Sequence, residues 1–216
     1  SLKYWNQAIE IDPLDATLFA GRAAVKFGAE AWASGLTDLN RAIVLAPLEK
    51  SLYVVRAQVN RRIKKVPEAA KDLEAALKID SKDWLTWDLL GQARLEAGDD
   101  ASGITALSNA LALSPQDSFQ NLYIQNGEIF VPKPFRIPID PLVNFVKRFG
   151  ESPRNILQSI RLLDPEIWLL RGKAHFRHQH WKEAQTDFLW YVAAYPEKKA
   201  DVETMLKICA EKIGGG

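Results

Sequence analysis

The sequence is short of most residues that do chemistry. It holds one cysteine, Cys209, and three histidines, His175, His178 and His180. A single cysteine excludes an intrachain disulfide and gives secretion no support, so a cytoplasmic location is favoured, with the periplasm left open. No apolar run approaches the ~18 residues of a membrane span, and the N-terminus lacks a signal-peptide layout. Net charge is +1 over 216 residues, and residues 1–115 carry 14 basic against 15 acidic side chains. No strongly basic surface for nucleic acid is therefore expected. Neither a G-x-S-x-G elbow, a phosphate-binding loop, a GxGxxG turn nor a Cys–His pair occurs. The chain reads as non-catalytic, and no cofactor is expected.

What the sequence has instead is a period. Phe19, Tyr53 and Trp87 lie 34 residues apart, as do Ala23, Ala57 and Gly91, and Gly35, Ala69 and Gly103. Leu39, Leu73 and Leu107 follow the same spacing, with Ala8, Ala42, Ala76 and Ala110, and Pro13, Pro47, Ser81 and Pro115. Such a period marks stacked supersecondary units, none able to bury its apolar side alone. Within one period two helices are predicted. From about 83 to 97, Trp84, Trp87, Leu90 and Leu95 recur at helical spacing. Gly98-Asp99-Asp100 breaks the chain, the acid pair serving as a cap, and Ile104, Leu107 and Leu111 form a second stripe that Pro115 ends. Gly91 and Gly103 fall on facing helices, where only small side chains permit close approach. The unit is a helix hairpin.

Trp87-x-x-Leu90-Gly91-x-x-Arg94, Gly103-x-x-x-Leu107 and Pro115 resemble a tetratricopeptide repeat (TPR), whose pattern runs W-x2-L-G-x2-Y…A-x3-F…P. Trp168-x-x-Arg171-Gly172-x-x-His175, Ala184-x-x-x-Phe188 and Pro196 match again. The earlier repeats are looser, with Phe19 or Tyr53 for Trp and Arg22 or Arg56 for Leu. The resemblance implies an all-α, TPR-type solenoid, a right-handed superhelix of helix hairpins.

Residues 1–115 form the regular array: a partial repeat 1–15, then repeats 16–49, 50–83 and 84–115. Trp5 and Ala8 fall in the columns of Leu39 and Ala42, so the sequence reads as cut from something longer. Residues 116–165 form an insertion. Asn126-Gly127 between two short apolar-rich runs predicts a β-hairpin over 121–131 with a two-residue turn. Leu122, Ile124, Ile129 and Val131 share one face, and Tyr123, Gln125, Glu128 and Phe130 the other. A Pro-rich extended run, 132–138, and a degenerate helical repeat follow. A TPR-like repeat over 166–196 precedes a polar capping helix over 197–213 and a glycine tail, 214–216.

In TPR proteins the stacked first helices line a concave groove that receives a peptide or helix. Carried onto this chain, the groove comprises Phe27; Val54, Val55, Gln58 and Arg61; Leu85, Asp88, Leu89, Gln92 and Leu95; and Lys173, Phe176 and Arg177. The resemblance thus implies a protein-binding scaffold or adaptor. The heat-shock-protein C-terminal tail is disfavoured as partner, because Ala20, Ala24, Val55, Leu85 and Leu89 at the clamp positions donate no side-chain hydrogen bond. A second reading has the hairpin or Pro-rich run dock a partner, such as a small GTPase or assembly subunit, while the groove is filled in cis.

Two local clusters have simpler readings. Arg61-Arg62-Ile63-Lys64-Lys65 suits a helix C-terminus, where the macrodipole favours cations. His175, His178 and His180, with Glu183 near, suggest zinc only weakly, since His175 replaces a packed aromatic and the others fall in a turn. No metal is expected there. Trp32 and Trp181 occupy a packing column; Trp84 and Trp190 lie off it, as packing residues or exposed anchors.

Overall fold

The computed structural model describes residues 2–114, 123–125, 128–130 and 166–214. Contacts divide the chain into two compact units, Ser1–Ala110 and Leu111–Gly216. The first contains α1 (Leu2–Ile11), α2 (Ala16–Gly28), α3 (Trp32–Leu45), α4 (Lys50–Arg62), α5 (Val66–Ile79), α6 (Trp84–Glu96) and most of α7 (Asp100–Leu113). The second contains β1 (Tyr123–Gln125), β2 (Glu128–Phe130), α8 (Glu166–Arg177), α9 (Trp181–Ala194), a 3-10 stretch (Pro196–Asp201) and α10 (Glu203–Gly214).

In the first unit α2 with α3 and α4 with α5 make hairpins, and α1, α3 and α5 each pack on the helix that follows. The elements therefore stack in chain order. Each first helix opens on an acid: Asp15, Glu49 and Asp83 accept from the backbone N–H of Thr17, Ser51 and Leu85. That acceptor satisfies an otherwise orphaned helix-start donor. Each hairpin turn passes through one left-handed residue, Glu30, Lys64, Gly98 and, in the second unit, Gln179.

The columns read from the sequence become the core. Leu39, Leu73, Leu107 and Phe188 are fully buried or nearly so, each such side chain contributing about 1.5–3 kcal/mol relative to exposure. Ala23, Ala57, Ala69 and Ala184 are inaccessible. A Cβ added to Gly103 would lie 3.3 Å from the Gly91 carbonyl oxygen. The two backbones of that hairpin thus meet where the small residues fall.

The second unit is a hairpin, α8 with α9, followed by a helix packed on α9. Its final segment differs from the single helix expected over 197–213. Pro196 opens a 3-10 stretch through Asp201, and α10 starts at Glu203 after buried Val202. Gly214, expected in the tail, closes α10. β1 and β2 pair antiparallel, with Ile124 opposite Ile129. The Pro-rich run 132–138 and the helical patterns expected up to 163 lie outside the described residues.

Candidate binding face

The first helices α2, α4 and α6 carry most of the expected groove residues. Ala20 and Val55 border one core cluster; Val54 and Leu89 border the next. Ala24 and Gln58 are exposed, and Leu85 is 39% exposed. Apart from Gln58, these side chains are small or aliphatic.

A polar bridge joins two of those helices. Arg61 on α4 donates from Nε to Glu96 Oε2 at 3.2 Å and from Nη1 and Nη2 to Gln92 Oε1, both at 3.3 Å. Its Nη2 also pairs with Glu96 Oε1. Gln92 in turn donates to Asp88 at 3.0 Å. Four residues assigned to the groove or beside it are therefore one hydrogen-bonded string. The remainder of the basic run divides: the Arg62 guanidinium sits 5.2 Å over the Trp32 ring, and Lys64 holds the left-handed turn position.

The last groove column faces its own hairpin. The Phe27 ring stacks on Trp32 at 6.0 Å, Leu95 lies against Gly103, and Phe176 meets the edge of Trp181 at 5.2 Å. At the end of a first helix the side chain leans over the turn, so these three serve packing. Arg61 occupies the same column and alone among them carries charge. On α8, Lys173 and Arg177 are exposed. Off-pattern Trp190 stacks on Trp168 at 6.1 Å, which assigns it to packing. Trp84 is half-buried.

The sequence reading missed the carboxylates that answer the off-pattern arginines. Arg22 meets Asp38, Arg56 meets Asp72 and Arg171 meets Asp187, each through Nε and Nη2 to the two carboxylate oxygens. Arg22 and Arg56 also donate from Nη1 to Asn6 and Asn40 on the preceding helix. The arginine thus fastens three helices at once. Burial pushes the Asp38 carboxyl up, but hydrogen bonds from Arg22 and Lys26 outweigh it and hold it below the ordinary value.

The histidines cluster at the α8–α9 turn. His175 Nδ1 lies 3.3 Å from His180 Nδ1, and the His178 and His180 rings are 6.1 Å apart. Burial lowers the pKa of His175, against the opposing charge of Asp187. Among the described residues, no three His, Cys, Asp or Glu side chains are arranged around one metal position. Cys209 is buried, which raises its thiol pKa and keeps it protonated and unreactive. No helix among the described residues is long and apolar enough to cross a membrane.

No family model matches the chain. A protein STIP1 homolog from Dictyostelium discoideum is 32% identical over 117 residues, covering 53% of this chain and 21% of that protein. The chain thus spans about a fifth of that relative's length. Among solved structures, YrrB, described as a TPR protein with an unusual peptide-binding site, is similar with a TM-score of 0.65 at 15% identity. That likeness covers 97% of this chain and 83% of YrrB. MamA is similar with a TM-score of 0.63 at 13% identity, over 93% of this chain and 89% of its own. The stacked hairpins, their small-residue columns and these likenesses agree: the chain has the tetratricopeptide-repeat fold.

Proposed function

We propose that the face formed by α2, α4 and α6 binds an extended or helical segment of a partner protein, making the chain a non-catalytic scaffold. The observation that carries this reading is the composition of that face. Exposed Ala24, Gln58 and Leu85 share α2, α4 and α6 with half-buried Val55 and Leu89, and the Arg61–Gln92–Asp88 string joins α4 to α6. An apolar strip with a few fixed polar groups suits an amphipathic peptide, whose aliphatic side chains bury while its polar groups register against the string. The fold shared with YrrB, described as having a peptide-binding site, supports the assignment. Val54, Val55, Gln58, Arg61, Leu85, Asp88, Leu89 and Gln92 are the residues of this face, all within the first unit.

The test is selection of peptides from a displayed random library on the purified chain, followed by affinity measurement on single variants. Leu85→Glu and Val55→Glu are expected to weaken capture at least about tenfold, with helicity by circular dichroism unchanged. Peptides that bind both variants as tightly as the parent chain overturn the reading.

The strand pair favours a second reading. β1 and β2 form a short ribbon with Tyr123 opposite Phe130 and Gln125 opposite Glu128. Tyr123, Gln125, Glu128 and Phe130 would then form a docking surface for a protein partner. Deleting 121–131 would abolish partner capture under this reading and spare it under the first.

A further inference from the structure

Four hairpins among the described residues close on one turn geometry. In each, an N–H donates to the carbonyl five residues earlier: Ala31 to Lys26, Lys65 to Asn60, Asp99 to Arg94 and His180 to His175. The left-handed residue sits immediately before the donor in every case. This helix-closing motif sets the two residues it links side by side, and in two of the hairpins their side chains meet. In the hairpin of α6 and α7 the pair is Arg94 and Asp99, and Nη1 reaches the carboxylate at 3.4 Å. In the hairpin of α8 and α9 the pair is two imidazoles, with Nδ1 facing Nδ1 at 3.3 Å.

That separation has a second chemical meaning. Two nitrogens held at 2.0–2.1 Å from one tetrahedral ion stand about 3.3–3.4 Å apart. We propose that His175 and His180 form a two-point chelate for a divalent transition ion of the zinc, nickel or copper class. Imidazole nitrogen is the ligand type those ions share. The backbone sets the spacing before any ion arrives, because the His180 N–H bond to the His175 carbonyl is 3.0 Å and Gln179 fixes the turn. Preorganisation of this kind spares the ion most of the ordering cost of its ligands.

Water completes the coordination shell. No third His, Cys, Asp or Glu among the described residues shares the position, and His180 is exposed. A site with two protein ligands and open positions exchanges its ion, unlike a closed four-ligand structural site. The ion and the direct imidazole–imidazole hydrogen bond exclude each other, so binding replaces that bond and leaves the backbone turn in place.

The experiment is calorimetric titration of the full chain, carrying no added histidine tag, with zinc chloride. Saturable binding of one equivalent is expected. His180→Gln and His175→Gln should each weaken it at least about tenfold, and His178→Gln should leave it within about twofold. His180 makes no side-chain cap bond to α9, so His180→Gln retains the fold and decides the outcome even if His175→Gln loses helix. Absence of saturable binding up to about 1 mM zinc overturns the proposal. So does binding that survives in the His175→Gln/His180→Gln double variant, or binding that depends on His178 alone.

Discussion

Arg56 and Asp72, sixteen residues apart on α4 and α5, meet fork to fork: Nε to Oδ2 at 3.0 Å and Nη2 to Oδ1 at 2.6 Å. The same join recurs at Arg22–Asp38 and Arg171–Asp187. Where α6 packs on α7 the two positions are Leu90 and Ala106, both buried. One array therefore contains two solutions to a single packing problem, an ion pair and an apolar pair.

The two solutions can be exchanged. Asp72→Ala leaves the Arg56 guanidinium half-enclosed without its carboxylate. The expected loss is about 2–3 kcal/mol, at or below the low end of the about 3–5 kcal/mol for broken buried pairs, because the Arg56 side chain is 24% exposed. The double change Arg56→Leu/Asp72→Ala copies the Leu90–Ala106 solution but also removes the acceptor of buried Asn60, which donates to Asp72 Oδ2 at 3.2 Å, so it should recover only part of that loss. Denaturant titration measures both. A double variant no more stable than Asp72→Ala would show that the pairs are not interchangeable.

Asp38 couples the array to acid. Its carboxyl is held below the ordinary value in the folded chain, burial being outweighed by Arg22 and Lys26. A carboxyl lowered by folding contributes stability that is complete above its unfolded pKa and is lost as pH falls through the folded value. The denaturation midpoint should therefore fall as pH drops below about 4, the unfolded Asp range. Asp38→Asn should be less stable at pH 7 and show a shallower acid slope. Equal slopes for the two proteins would remove Asp38 from the account.

The hairpins, their stacking order and their core columns were legible because each unit repeats the same burial demand at 34-residue spacing. Leu39, Leu73 and Leu107 had to be core, and are. The arginines were legible only as departures from Leu. Their partners Asp38, Asp72 and Asp187 lie on the next helix, and helix periodicity says nothing about which charges meet across a hairpin. The recurrent Arg-to-Asp spacing, lost at both ends together in Leu90 and Ala106, was the available signal. Phe27, Leu95 and Phe176 were assigned to the groove because helical phase does not tell whether the next hairpin or the chain's own turn covers an end residue. Tyr191 fills, fully buried, a column where Ala42, Ala76 and Ala110 stand; no pattern announced that exchange.

The turns offer a gain in stability. Lys64 has a φ of 64° and Gly98 a φ of 81° at the same place in successive hairpins. A left-handed conformation costs a non-glycine residue about 1–2 kcal/mol, and glycine's extra unfolded-state entropy offsets part of the relief. Lys64→Gly should stabilise by about 0.5–1 kcal/mol, and Gly98→Ala should destabilise by about 1 kcal/mol. Thermal melts check both, and a stabilising Gly98→Ala would contradict the assignment.

Arg61 separates packing from binding. Phe27, Leu95 and Phe176 show what an apolar side chain does in this column: Phe27 leans on Gly35, Leu95 on Gly103, and Phe176 packs on Trp181. Arg61 reaches instead to Gln92 and to Glu96, whose side chain is 46% exposed. A pair whose carboxylate is this exposed contributes about 0–1 kcal/mol, whereas a leucine buried over Ala69 would contribute about 1–2 kcal/mol. Arg61→Leu should therefore hold or raise the denaturation midpoint. A library-selected peptide that lies on the α2–α4–α6 face loses a fixed hydrogen-bonding group in the same variant and should bind more weakly. Residues kept at a cost to stability mark function. If Arg61→Leu unfolds the chain, or stabilises it with peptide affinity intact, the string from α4 to α6 is a fastening between hairpins and has no part in recognition.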